Sequence, residues 1–467
     1  MRTDAASRWN HGSGDAAGTS VNESGMIHKT VHVSPAGGAA GDGSAASPFD
    51  DIAKAAAACP GSTILVHGGV YGGIALGPEA SGGADSPTVI RAAEGERVLI
   101  RPDGGTGIRI LNAHHLILEG FEVEGGTHGI RYESTREAGN TPLGGVAIRN
   151  CTVHGIRGVH GICVYARNDR APVTDLTVEG CRVYDCECGS SESLVLNGNI
   201  EGFRIVSNVI FGNNNIGIEM IGFEGTAKHP GSVRGRNPYE ADFVRRGVCR
   251  NNVVWGISTE GNMAYVSDGH FDPCADGIYV DGGQDIEIAE NFVFCCDIGI
   301  EVATEHSPDD NPLFRVSGIR VHDNVIAGCR GFAGLCFGGY ARHLGYTEGC
   351  EFDHNTLVDN DTQIAVQRSR DNRIHRNLIL GGESGVVFNE SCRPEDLVNR
   401  IDANAAAGIR DRESWRAEYG PLSPDRAALA DGFRTLAPDV GSRWIPAPEW
   451  TELCREQMKR ESVKEQL

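Results

Sequence analysis

The chain is poor in aromatic residues, poor in positive charge and without any long apolar run. Phe, Tyr and Trp make up 6 % of 467 residues. That is too few for several thick globular cores, and it fits a narrow interior filled by Val, Ile and small side chains. Lys and Arg number 42 against 63 Asp and Glu, a formal net charge of −21. This surplus argues against nucleic acid and anionic membrane surfaces as partners. It also disfavours acidic polysaccharides, unless a local basic groove overrides it. No stretch approaches the roughly 18 apolar residues of a membrane-spanning helix. The N-terminal MRTDAASRWNHGSGDAAGTSVNESG lacks the apolar core of a signal peptide. The 15 cysteines fall into no disulfide framework. Together these features predict a cytoplasmic protein with reduced thiols.

What the chain does have is glycine, 63 residues of it, and a hydrophobic content of 40 %. Short strand words recur. Gly277-Ile278-Tyr279-Val280-Asp281 and Gly299-Ile300-Glu301-Val302-Ala303 begin 22 residues apart. Related words start at Gly161, Gly217 and Gly334. A second strand type ends on a small polar residue: Cys151, Cys181, Asn208, Asn252, Asn291, Asn324, Asn355 and Asn377. Each is followed two positions on by Val, Ile or Leu. Repeats of this length, each burying its core only against its neighbours, predict a β-solenoid. Stacked asparagines would satisfy one another's amides at one corner of the coil.

The expected order is a disordered leader over 1–27, a solenoid over 28–392 and a helical tail over 393–467. A short helix over 48–58 would cover the open N-terminal edge. Tail helices are expected over 412–419, 424–429 and 449–466, capping or flanking the C-terminal end. The repeat fades after Asn377.

The opening strand–helix–strand segment and the GIxV…IxIxxNxV coils resemble right-handed parallel β-helix proteins of the pectate-lyase-like superfamily, over about residues 30–392. The resemblance implies an all-β, single-stranded right-handed parallel β-helix. It also implies an active site on the outer face of one sheet, walled by long turn loops. The words DGIYVDGG and DIGIEVATEH look more like β-helix glycoside hydrolases, β-xylosidase-like ones among them, than pectate lyases. No lyase pattern of calcium-binding aspartates with an arginine is evident.

Within each word, alternation turns the third residue outward: Cys163, Glu219, Tyr279, Glu301, Cys336. The fifth also faces out, which includes Asp281. Glycoside cleavage needs two carboxyl groups across the scissile bond, and stacking brings Glu219, Asp281 and Glu301 onto one outer wall. The expected roles are Asp281 as nucleophile or base and Glu301 as acid. Glu219 is a substitute acid or a hydroxyl-binding group. Asp276 opens its strand as an Asx turn and, as a second role, lines the site. Glu305 and His306 wall the cleft, Glu224 reaches it from the 222–247 insertion, and His270 from the 257–275 insertion. Tyr279 and Tyr340 are candidates to stack on sugar rings. Asp268, His270, Asp272 and His306 lack a metal-site signature, and Cys295-Cys296 and Cys186-Glu187-Cys188 read as core cysteines. No metal or cofactor is expected.

The function expected is hydrolysis of a neutral oligosaccharide, with glycan transfer as a variant of the same chemistry. A homo-oligomer is compatible with it. Lys228, His229, Arg234, Arg236, Arg245 and Arg246 form a basic run that would serve a polysaccharide lyase or uronate epimerase instead. A non-catalytic glycan-binding solenoid is the third class.

Overall fold

A computed structural model describes residues 29–231, 235–341, 343–389, 397–407 and 439–464. The chain coils through three long parallel sheets of 16, 11 and 12 strands. Each coil adds one strand to each sheet, and the register is in phase. Ile218, Ile278, Ile300, Leu335 and Ile364 stand side by side on successive strands. The fold is an all-β, right-handed parallel β-helix.

The recurring residues have direct physical causes. From Asn208 onward each amide Nδ2 donates to the Oδ1 of the asparagine one coil on. The distance is 3.0 Å at Asn208–Asn252 and 2.9 Å at Asn252–Asn291, Asn291–Asn324, Asn324–Asn355 and Asn355–Asn377. These side chains are fully buried, and the ladder satisfies groups that would otherwise be costly there. The glycine that opens each word answers the apolar residue two places after each ladder position. A Cβ on Gly161, Gly277 or Gly299 would stand 2.5, 2.4 or 2.5 Å from a side-chain carbon of Val183, Val293 or Ile326. The interior is one continuous core of Val, Ile and Leu with buried cysteines, and the described cysteines are all free.

The helix Ile52–Ala58 is N-capped by Asp51, whose carboxylate accepts from the Lys54 amide at 2.8 Å. Its residues Ile52, Ala55 and Ala56 join the core at the N-terminal end, as expected. The C-terminal expectation needs correction. The coils continue past Asn377 and past residue 392, with strands Leu397–Asp402 and Ala405–Ala407 paired in parallel to the preceding coil, the first across a register shift between Arg370 and Arg373. Asn377 donates to Asn404 at 2.9 Å. This coil lacks the sequence mark of the others, because Ala405-Ala406-Ala407 replaces the usual branched residues. The helix expected over 449–466 is present as Pro448–Lys464, and of the two expected placements it takes the flanking one rather than the cap. It lies against the flank of the 12-stranded sheet, where Trp450, Leu453, Cys454 and Met458 pack on Val253, Phe292, Phe294 and Ala327. Beneath it runs a stack of rings on successive coils, His154, Tyr184, Phe211, Trp255 and Phe294. The expected leader over 1–27 and the helices over 412–419 and 424–429 lie outside the described residues.

Candidate functional site

The 11-stranded sheet carries one continuous outward row. Across its strands the row reads Arg109, Arg131, Cys163, Val195, Glu219, Tyr279, Glu301, Cys336, Ala365. Asp281 projects from the same face two residues after Tyr279, in register with Ala303. By strand spacing its Cα lies about 8 Å diagonally from those of Glu219 and Glu301. Glu219, Asp276 and Asp281 are no more than 4 % exposed, and Glu301 is half-buried. These acids face outward but are not a solvated surface. From the 257–275 insertion, Tyr265 stands near Glu192 and Glu219, its hydroxyl accepting from Asn215 at 3.0 Å, and Cys274 stands near Asp276 and Glu301.

The carboxyl groups meet in pairs. Asp276 and Glu301 are hydrogen-bonded to each other. Burial, then the charge of Glu301 and that hydrogen bond, hold Asp276 protonated far above the usual carboxylate range. Burial also pushes Glu301 up, to about 7, against the bond from Asp276 that lowers it. Asp276 therefore holds the proton and Glu301 is the member that ionises first. Glu219 is raised by burial, then by Glu192 and Asp281, and it hydrogen-bonds to Glu192. The second contact of Glu192 is His160 Nε2, at 2.9 Å. Asp281 is raised by burial and then by Glu305, although its Oδ1 accepts the Glu305 amide at 3.2 Å. Glu219 Oε2 and Asp276 Oδ1 are buried without an N–H or hydroxyl donor. Among the described residues, the dominant charges on these four acids are other carboxylates.

The structure thus brings together Glu219, Asp276, Tyr279, Asp281 and Glu301. Tyr279 stands between Glu219 and Glu301 and is buried. With 6 % of its surface exposed it has no open ring face for a sugar, so ring stacking belongs to Tyr340 instead. Tyr340 is 58 % exposed and close enough to feel Glu305 and Glu301. Glu224 and Glu305 are exposed at the rim, and His306 packs on Phe314 with ring centroids 5.1 Å apart. His270 is not part of the cluster. It sits exposed on a two-stranded hairpin, Val266–Ser267 with His270–Phe271, which carries it outward.

Sequence reasoning passed over Glu192, although a signal existed. Glu192 precedes Leu194 as Asp276 precedes Ile278, and those two apolar residues share a register row. The basic run proves to be paired elsewhere. Arg245 and Arg246 bind Glu201 at 2.9 and 3.0 Å, and Arg236 reaches Asp169 at 3.8 Å. Lys228 donates to the Tyr239 hydroxyl at 2.7 Å. Arg234 lies outside the described residues. An open trough of about 740 Å³ runs along the 16-stranded sheet past Phe203, Arg204, Asp285 and Arg320, on a different face from the acids.

Among the described residues, three groups bring possible metal donors within 4.8 Å of one another: His128, His160 and Cys163; Glu224, Asp281 and His306; Glu351, Asp353 and His375. Arg131 approaches His128 Nε2 at 3.5 Å in the first, and Arg320 contacts Asp353 at 3.1 Å in the third. Both would repel a cation. The second is oxygen-rich and suits a hard cation.

Over 451 residues the chain is 30 % identical to the uncharacterized protein YwoF of Bacillus subtilis (strain 168), with 90 % of each chain covered. The family described as periplasmic copper-binding protein (NosD) matches residues 238–418. That stretch holds Asp281 and His306 of the second group and all of the third, carboxylates with one imidazole per group, which fits copper poorly. Among solved structures the chain is similar to the GH136 lacto-N-biosidase of Eubacterium ramulus, at 14 % identity and a TM-score of 0.57. That match covers 81 % of this chain and 68 % of the other. It is also similar to the A-module of the Azotobacter vinelandii mannuronan C-5 epimerase AlgE6, at 14 % identity and a TM-score of 0.52, covering 80 % and 92 %. At these identities the likeness shows the fold alone.

Proposed function

The chain belongs to the family of Bacillus subtilis YwoF, and from that premise we propose that it is a carbohydrate-active enzyme that hydrolyses glycosidic bonds. One observation carries the reading: a buried set of carboxyl groups, free of dominant cations, in which one member titrates near 7 beside others held protonated. Such a spread of affinities supplies a proton donor and a proton acceptor at the same pH. Asp281 is the donor and protonates the glycosidic oxygen as the bond to the anomeric carbon breaks. Glu301 is the acceptor and takes a proton from the water whose oxygen attacks that carbon. This reverses the roles expected from sequence, because Asp281 is packed against Glu305 and Glu224, whereas Glu301 has Asp276 to steady its charge. Asp276 and Glu219 with Glu192 tune the pair, and Tyr279 presents its hydroxyl between Glu219 and Glu301.

A lyase or epimerase must neutralise a uronate carboxylate beside the proton it removes, and the acid strip is a poor place for one. The sugar at the cleavage point is therefore neutral. The test is to incubate purified protein with a panel of oligosaccharides and follow reducing ends and near-ultraviolet absorbance together. Reducing ends without an unsaturated product support hydrolysis. An unsaturated product, or turnover unchanged in Asp281→Asn and Glu301→Gln, sinks it.

A further inference from the structure

The outward row that holds Glu219 and Glu301 changes sign at its other end. There it carries Arg109 and Arg131, on the strands Thr106–Leu111 and His128–Ser134. Both reach the buried carboxylate of Glu133, at 3.2 and 2.7 Å, and Arg167 reaches it at 3.4 Å. Three guanidinium groups thus share one carboxylate, a surplus of two positive charges in a chain of net charge −21. Arg109 and Arg167 keep close to half of their side-chain surface exposed. The Nε of Arg131 is buried without a partner. Arg131 and Arg167 both lie over the ring of Tyr165, at 5.6 and 4.6 Å from its centroid, which fixes where their planes face.

A guanidinium fork fits a planar or tetrahedral oxyanion with two parallel bonds. Glu133 can accept from three forks at once but leaves donors over on each. Arg131 and Glu219 are three strands apart along the row, about 14 Å, a reach spanned by a few sugar residues lying across the coils. We propose that Arg109, Arg131 and Arg167 form an anion subsite, which holds the carboxylate or sulfate of an acidic sugar belonging to the glycan cut at the carboxyl cluster. The inference rests on the hydrolase reading for its direction along the cleft. It deepens that reading: the glycan is neutral where it is cleaved and charged a few residues away.

The test uses matched oligosaccharide sets on an array, each backbone neutral, uronate-bearing or sulfate-bearing, probed with the labelled full chain. Bound glycans are expected to carry an anion, the two acidic arms telling carboxylate from sulfate. Arg109→Gln should weaken binding about tenfold, as for loss of one charged hydrogen-bonding partner. A quadruple variant, Arg109→Gln, Arg131→Gln and Arg167→Gln with Glu133→Gln, clears the network without stranding a buried carboxylate, and should lose the preference for anions altogether. Equal binding of neutral glycans, binding of none, or variants that bind as the wild type does would overturn the subsite. Reducing-end release is measured in parallel. Anion-selective binding without hydrolysis removes the proposed activity and leaves the subsite standing. Hydrolysis without anion preference does the reverse.

Discussion

Glu301 ionises near 7 because burial opposes its charge while Asp276, hydrogen-bonded to it, supports that charge. Two predictions belong to this residue. As the proposed base it must be ionised, so the rate should rise as pH climbs through about 7. The rate should then fall again only at higher pH, where Asp281 loses its proton. Asp281→Asn and Glu301→Gln should each lower kcat at least about a hundredfold, read by reducing-end release on whichever oligosaccharide the panel identifies. The second prediction concerns stability. The folded chain keeps the Glu301 proton to about pH 7, whereas the unfolded chain gives it up near the ordinary 4.5. The stabilisation is therefore complete below about pH 4.5 and lost as pH rises through 7, by at most on the order of 3 kcal/mol. In Glu301→Gln the decline in urea midpoint from pH 5 to 8 should be shallower. An equally steep decline would show that Glu301 titrates normally.

Between strands, the fold depends on two complementary choices repeated coil after coil. An asparagine closes one corner, and a glycine makes room for the apolar residue beside it. Asn291→Ala leaves the buried backbone N–H of Asn252 without its acceptor and takes one acceptor from its side-chain amide, and should cost about 2 kcal/mol. Gly277→Ala sets a methyl 2.4 Å from Val293 Cγ1 and should cost a similar amount, about 2 kcal/mol. Combining it with Val293→Ala should recover part of that loss, since the two residues contend for one space. Urea denaturation of the four proteins gives the coupling. Strict additivity would mean that the glycine is there for another reason.

Over the whole molecule, stability comes from neighbour-on-neighbour stacking, and one long-range tie is superimposed on it. The segment 439–464 runs along the solenoid flank. Arg443 pairs with Asp323, and Trp450 lies 5.9 Å from Trp255, ring centre to ring centre. Trp450→Ala should cost the docking of this segment about 3 kcal/mol. Amide hydrogen exchange should then quicken in Pro448–Lys464 and in the strands Val253–Trp255 and Phe292–Phe294, while the N-terminal coils stay protected. Uniform quickening along the chain would argue that the helix supports the entire coil rather than one flank.

The periodic part of this architecture could be read directly, because a β-helix repeats the same local problem and so repeats the same residues. Asn208 to Asn377, the glycine words and the outward parity of Glu219, Tyr279, Asp281 and Glu301 all follow from strand alternation and coil length. Where a coil used unusual residues, as at Asn404 and Ala405–Ala407, the pattern was lost. What periodicity does not contain is the path of the insertions. It could not say that Tyr265 and Cys274 of the 257–275 segment would come to stand beside the acids, nor that His270 would be carried away. Nor could it bring Glu192 to Glu219, Asp276 to Glu301, or Arg109, Arg131 and Arg167 to one carboxylate. Local alternation settles which way a side chain points. Which groups then meet, and how much water is left between them, depends on neighbouring coils and covering loops, and so was decided only in three dimensions.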